Sequence, residues 1–228
     1  MAHWDNIVSI RAVYNALKPL NRNYVFVGGA TVSLYAQRDT KDVRPTEDVD
    51  VVVEVLGYNS DYESIIEKLL QIGFQPDVMS GVICRYLYGN LTVDIMTTEN
   101  VMGFSNRWYA NGFKHAIDYR IDDQHEVKIF SAPYFIASKF EAFKNRGKND
   151  GRTSTDFEDI VFLLENRETL WEEINAAPVD VHQYIKEKFT ELINNPNHEE
   201  WIGCHVDFGS PPNTYLILNR IKEFVEGD

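Results

Sequence analysis

Three aspartates, Asp48, Asp50 and Asp94, lie downstream of a glycine pair, Gly28-Gly29, and carboxylates in that arrangement can perform metal-assisted phosphoryl transfer. In an extended segment successive side chains point to opposite faces, so Asp48 and Asp50 share one face while Val49 and Val51 fill the other. Carboxylates held that close destabilise one another unless a cation sits between them, and hard divalent ions prefer carboxylate and water oxygens. The expected ion is Mg²⁺. Asp94, flanked by Val93 and Ile95 on what reads as a neighbouring antiparallel strand, supplies a third carboxylate. Two Mg²⁺ ions on such a set would lower the pKa of an attacking hydroxyl and stabilise a pentacoordinate phosphorus and departing pyrophosphate.

An Asp-x-Asp alone is a weak signal, and Gly-Gly after a strand alone is a tight turn. Together they demand more. A glycine pair that ends a strand and opens a helix lets backbone N–H groups approach phosphate oxygens, and the helix dipole favours the anion. Thr31 and Ser33 could add hydroxyl donors, with capping or helix packing as the alternative use of both.

These residues need elements to hold them. Residues 5–18 carry apolar side chains at helical spacing and stop at Pro19. Tyr24 to Val27 reads as a strand, residues 31–36 as a helix, 49–55 as a β-branched strand covered on both faces, and 61–72 as a helix. Val82–Tyr88 and Leu91–Met96 form a hairpin about Gly89-Asn90, and 114–121 with 125–130 a further strand pair. After Ala132-Pro133 the chain reads helically at 134–146, 156–166, 168–175, 180–194 and 212–226. The expected fold is α+β: a mixed β-sheet flanked by helices, residues 1–131, followed by a helical C-terminal domain, residues 132–228, packed against it.

Composition narrows the setting. With 44% hydrophobic residues in 228 the chain can bury a core, and it has no apolar run long enough to span a bilayer and no signal-like N-terminus. A cytoplasmic protein without a membrane partner is expected. Cys84 and Cys204 form no metal or disulfide pattern and read as two buried thiols. The net charge of −13 argues against a surface coated in basic residues for long duplexes. Positive charge gathers at Lys139, Lys144, Arg146, Lys148 and Arg152, either a solvated helix end or the neutralising partner of a polyphosphate. Trp171, Tyr184 and Trp201 read as helix packing rather than base stacking.

Val27-Gly28-Gly29, Asp48-Val49-Asp50 and Asp94 resemble the pattern of the nucleotidyltransferase superfamily, the fold of polymerase β and the aminoglycoside nucleotidyltransferases. The string Arg44-Pro45-Thr46-Glu47-Asp48-Val49-Asp50 and the long gap after Gly29 look like the AbiEii/AbiGii toxin-like branch. A Lys and Arg on one helix, Lys139 and Arg146, followed by Asp156-x-x-Asp159, also resemble that branch. The resemblance covers about residues 24–165 and implies a nucleotidyltransferase-type sheet. By it, Lys139 is the phosphate-binding lysine, Arg146 a second phosphate clamp, and Asp156 and Asp159 orient Lys139 or the acceptor; capping and a solvated helix face are the alternative for both aspartates.

The expected activity is Mg²⁺-dependent transfer of a nucleoside monophosphate from a nucleoside triphosphate (NTP) to an acceptor hydroxyl. Asp48 and Asp50 would hold both ions, and Asp94 one ion while helping to deprotonate the acceptor. Gly28, Gly29, Thr31, Lys139, Arg146 and Asp156 would form the nucleotide site. The resemblance favours an RNA or tRNA acceptor and a toxin with an antitoxin protein as partner, whereas the overall acidity suits a protein or small-molecule acceptor such as an antibiotic. A non-catalytic interaction module on the same fold is the competing class.

Overall fold

A β-branched run needs cover on both faces, and Val51, Val52 and Val53 obtain it at the centre of one mixed sheet, where none is exposed. The computed structural model describes residues 2–38, 43–56, 59–103, 105–148, 150–207 and 212–227. Among these, the strands are β1 (Tyr24–Val27), β2 (Asp48–Val53), β3 (Gln75–Pro76), β4 (Arg85–Tyr88), β5 (Leu91–Thr97), β6 (Ile117–Arg120) and β7 (Glu126–Ile129). They pair in the order β3-β4-β5-β2-β1-β7-β6. β2 is antiparallel to β1 and parallel to β5, and β1 is parallel to β7. The sheet belongs to a first compact unit, Met1–Leu34 with Lys41–Ser131. The same unit holds helices α1 (Ala2–Leu17), α2 (Asn59–Gln71) and α3 (Tyr109–Lys114).

The β2–β5 pairing corrects the antiparallel expectation. The chain leaves β2 through α2 and enters β3, after which two antiparallel reversals, β3 to β4 and β4 to β5, bring β5 back into the direction of β2. The segment after Gly28 is also different in kind, a 3₁₀ helix over Gly29–Tyr35 rather than an α-helix. Its first turn is closed by the Thr31 N–H donating to the Gly28 carbonyl at 3.2 Å, an i to i−3 bond.

The strand expected from Val82 begins only at Arg85. Val78, Met79 and Ile83 are exposed there, and the Asp77 carboxylate accepts from the Met79 and Ser80 N–H groups at 3.2 Å to hold a turn. Apolar content alone mimicked a strand. β3, α3 and the short α8 (His198–Gly203) had no periodic signal long enough to read.

The second compact unit is Tyr35–Thr40 with Ala132–Asp228. It contains α4 (Ala132–Arg146), α5 (Thr155–Asn166), α6 (Leu170–Asn175), α7 (Val179–Ile193), α8 and α9 (Thr214–Glu226). α4 packs against α5, α6 and α7, and α7 against α9. The early segment joins this unit through the Gln37 N–H donating to the Asn166 carbonyl at 2.9 Å and Arg167 donating to the Tyr35 carbonyl at 3.0 Å. α5 begins at a Ser154 N-cap, whose hydroxyl accepts from the Phe157 N–H at 3.3 Å, a cap worth about 1 kcal/mol. Among the described residues no helix is long and apolar enough to cross a membrane.

Candidate active site

The sheet register assembles the carboxylates. In the parallel β2–β5 pair Asp50 stands opposite Asp94, and Asp48 opposite Thr92, so all three aspartates project from one face. The intermediate exposure of Asp48 and Asp50 alternates with buried Val49 and Val51, as the period of a strand requires. Asp94 is buried at 8% exposure.

Gly28 and Asp50 meet at the end of β1. Val27 is the antiparallel partner of Asp50, and Gly28 follows with φ of +72°. A β-carbon at Gly28 would collide with the Asp50 carboxylate, so the position needs glycine for both its backbone and its space. A β-carbon at Gly29 would collide with the Arg44 guanidinium and crowd the Thr46 methyl. The glycine pair thus admits side chains from the Arg44–Asp50 string. Thr31 is fully buried, and its hydroxyl donates to the Gly28 carbonyl at 2.9 Å, closing the turn. The Ser33 hydroxyl is buried and makes no hydrogen bond among the described residues.

Two positioning residues escaped the sequence reading. Asn6 of α1 is 2% exposed, and its amide oxygen accepts from the Thr46 N–H at 3.3 Å and the Thr46 hydroxyl at 3.1 Å. Its amide nitrogen donates to the Arg44 carbonyl at 3.4 Å. No motif marks an asparagine inside a helical run for this task. Arg85 is the second, and its signal was present. Counting outward from Gly89-Asn90 pairs Tyr88 with Leu91 and reaches Arg85 opposite Asp94.

Arg85 dominates the electrostatics of the face. Its Nε and Nη2 donate to the two Asp94 oxygens, each at 2.8 Å, and Nη2 also donates to Asp48 Oδ2 at 2.7 Å. The bonds to Asp94 raise the guanidinium pKa further above its ordinary value. Burial, reinforced by Asp94 and Asp50, pushes the neighbouring Cys84 thiol up to about 12. Cys84 is buried as expected, whereas Cys204 is exposed, contrary to the reading of two buried thiols.

The donor set suits a hard divalent ion: oxygens only, on one face, already drawing a positive group onto themselves. Among the described residues no group of three or more His, Cys, Asp or Glu side chains is gathered about one point to hold a metal; the Asp48 and Asp94 oxygens converge on Arg85.

In the helical unit Lys139 is 5% exposed and pairs with Asp159 at 2.6 Å and Asp156 at 3.3 Å. Arg146, on the exposed end of α4, grips both oxygens of Asp156 at 2.7 and 2.8 Å. Burial alone would raise the Asp156 pKa; the Arg146 and Lys139 contacts outweigh it and hold the carboxyl below its ordinary value. Asp156 and Asp159 are 2% and 1% exposed, so neither forms a solvated helix face, and Ser154 rather than either aspartate is the N-cap. Arg152 is turned onto Asp150 at 2.8 Å. Trp201 packs edge-on against Phe143 and Phe157, Trp171 lies against Phe189 and Phe224, and the Tyr184 hydroxyl donates to Glu141 at 2.8 Å.

The family profile described as "Nucleotidyl transferase AbiEii toxin, Type IV TA system" matches residues 11–201. Among solved structures, an antigenic nucleotidyltransferase-like protein from Paracoccidioides brasiliensis aligns with a TM-score of 0.53 at 16% identity, covering 89% of this chain and 94% of that one. The antibiotic-resistance factor ANT(2'')-Ia aligns with a TM-score of 0.47 at 11% identity over 87% and 100% of the two chains. No curated protein matches the chain in sequence. The first of these likenesses places the mixed sheet with its helices among nucleotidyltransferase-like folds, as the sequence resemblance implied.

Proposed function

The chain belongs to the AbiEii family of nucleotidyltransferase toxins of toxin–antitoxin systems, and from that premise we propose Mg²⁺-dependent transfer of a nucleoside monophosphate from an NTP to an RNA hydroxyl. The observation that carries the proposal is the β2–β5 register, which sets Asp50 beside Asp94 with Asp48 on the same face. Asp48, Asp50 and Asp94 would hold the metal. Bound there, Mg²⁺ supplies the positive charge that acidifies the acceptor hydroxyl and stabilises the phosphorus centre.

The chain's own groups prepare that chemistry. Gly28 lets the Asp50 carboxylate lie against the strand end, and Asn6 fixes the loop that carries Asp48 and Asp50 into β2. In the proposed step the acceptor oxygen bonds to the α-phosphorus as the bond to the β-phosphate oxygen breaks, and pyrophosphate leaves. The hydroxyl proton passes to a carboxylate of the set, with Asp94 assigned that role. Phosphate contact is assigned to Gly28 and Gly29, with Thr31 closing their turn through its two bonds to the Gly28 carbonyl. In the helical unit the family resemblance assigns phosphate contact to Lys139 and Arg146, with Asp156 and Asp159 orienting Lys139. An antitoxin protein is the proposed partner.

The test is incubation with each α-³²P-labelled NTP, Mg²⁺ and total RNA beside an Asp48→Asn control. Label in RNA with the wild type alone supports the proposal. Mg²⁺-dependent nucleotide binding without label in RNA directs the search to a protein or small-molecule acceptor. Absence of nucleotide binding favours the interaction module. For an RNA acceptor, binding weakens steeply as salt rises.

A further inference from the structure

Arg85 has no place in the two-ion scheme, yet one guanidinium occupies both oxygens of Asp94 and one oxygen of Asp48. We propose that Arg85 is a resident counter-cation whose withdrawal from Asp48 and Asp94 is coupled to loading of the divalent ion. The inference rests on the metal-dependent reading above and adds a residue that regulates entry to the same site.

Geometry makes the competition direct. Asp48 and Asp94 lie on adjacent strands, and without a positive charge between them their repulsion would weigh on the β2–β5 pairing. Arg85 supplies that charge by register, since it is the antiparallel partner of Asp94 across the hairpin. Its planar fork meets two oxygens of one carboxylate and a third from another, a match that a lysine point charge cannot reproduce. A divalent ion on Asp48 and Asp94 would draw on the oxygens the fork now occupies. It would also place two positive groups at one point, where they repel one another.

Release is sterically open. The Arg85 side chain is 25% exposed and the Asp48 side chain 32%, so the guanidinium has a solvent-facing side. No backbone pairing need break, because the arginine holds its place in β4 through the ladder and only its side chain must turn. The site thereby keeps a compensated sheet before loading and a full carboxylate set after it.

The experiment compares the full-length wild type with Arg85→Gln and Arg85→Lys in two measurements without turnover. Mn²⁺ affinity is measured by electron paramagnetic resonance in the absence of nucleotide, and thermal midpoints are taken in EDTA and in excess Mn²⁺. Arg85→Gln is expected to bind Mn²⁺ about tenfold more tightly, the scale of a lost charged hydrogen bond, with Arg85→Lys between. The Gln variant melts below wild type in EDTA and gains more from Mn²⁺ than wild type does. Equal or weaker Mn²⁺ binding by Arg85→Gln, with wild-type binding intact, overturns the role of Arg85 and leaves the metal-dependent reading standing. Failure of all three proteins to bind Mn²⁺, with or without NTP, overturns that reading and this inference together. Should the Gln variant fold in neither condition, the Lys variant decides: tighter binding than wild type supports the coupling, equal or weaker binding overturns it.

Discussion

The Asp50 carboxylate lies against the α-carbon of Gly28 so closely that no side chain can stand between them. Gly28 also holds φ of +72°, where an L-residue is strained. Gly28→Ala therefore meets two penalties at once, a backbone cost and the displacement of a carboxylate assigned to the reaction. The expected outcome is a stability loss of about 1–3 kcal/mol by urea unfolding. Label transfer should fall by far more than the unfolded fraction explains. A variant that keeps wild-type activity would show that Asp50 need not sit at the strand end.

Asn6 and Thr46 supply the second prediction. The Asn6 side chain is the buried partner of the Thr46 N–H and hydroxyl and of the Arg44 carbonyl, forty or so residues along the chain. Asn6→Ala removes these part-buried hydrogen bonds, at about 0.5–1.5 kcal/mol each. The loop relaxes while the sheet, held by its own ladder, persists. Activity should drop with far-ultraviolet circular dichroism unchanged. Hydrogen exchange should rise at Arg44, Thr46 and Glu47 and stay at wild-type levels in β2.

How far the sequence disclosed this site follows from the range of each signal. Period-two alternation in β2 and the turn at Gly89-Asn90 are local, so Asp48, Asp50 and the β4–β5 hairpin were legible. The direction of β5 relative to β2 depends on the path through α2, β3 and β4, which no window of residues contains, and the antiparallel expectation failed there. Arg85 could have been found by counting across the hairpin. Asn6 could not, because its partner lies in a loop without periodicity. In the helical unit the spacing of Asp156 and Asp159 predicted a shared helix face, and burial with Lys139 follows from the fold.

The buried cluster of the helical unit predicts a pH dependence of stability. The Asp156 carboxyl titrates below its ordinary value of 3.8 in the folded chain, so the folded state binds the proton less readily than the unfolded one. Its contribution is complete above the unfolded value and is lost as pH falls through the lowered folded value. Asp156→Asn should destabilise the chain at neutral pH, because Lys139 and Arg146 lose their shared anion. The gap between variant and wild-type urea midpoints should then narrow below about pH 4 as the wild-type carboxyl protonates. A gap independent of pH down to the acid transition would show that ionisation of Asp156 adds nothing.

Two cysteines in contrasting surroundings give a probe of the site that needs no substrate. Cys204 is exposed, while Cys84 is buried beside Arg85 with its thiol pKa pushed up to about 12. The thiolate is the reactive form, and at pH 8 a group of that pKa is ionised to roughly one part in ten thousand. Iodoacetamide should alkylate Cys204 within minutes and leave Cys84 unmodified over hours, as read by peptide mass spectrometry. Burial is the largest cause of the shift, with Asp94 and Asp50 adding to it. Asp94→Asn removes one of those charges without opening the core, so Cys84 labelling should rise only modestly. Labelling of Cys84 as fast as Cys204 in the variant would mean that β4 had come away from β5, and that Asp94 holds this edge of the sheet through Arg85.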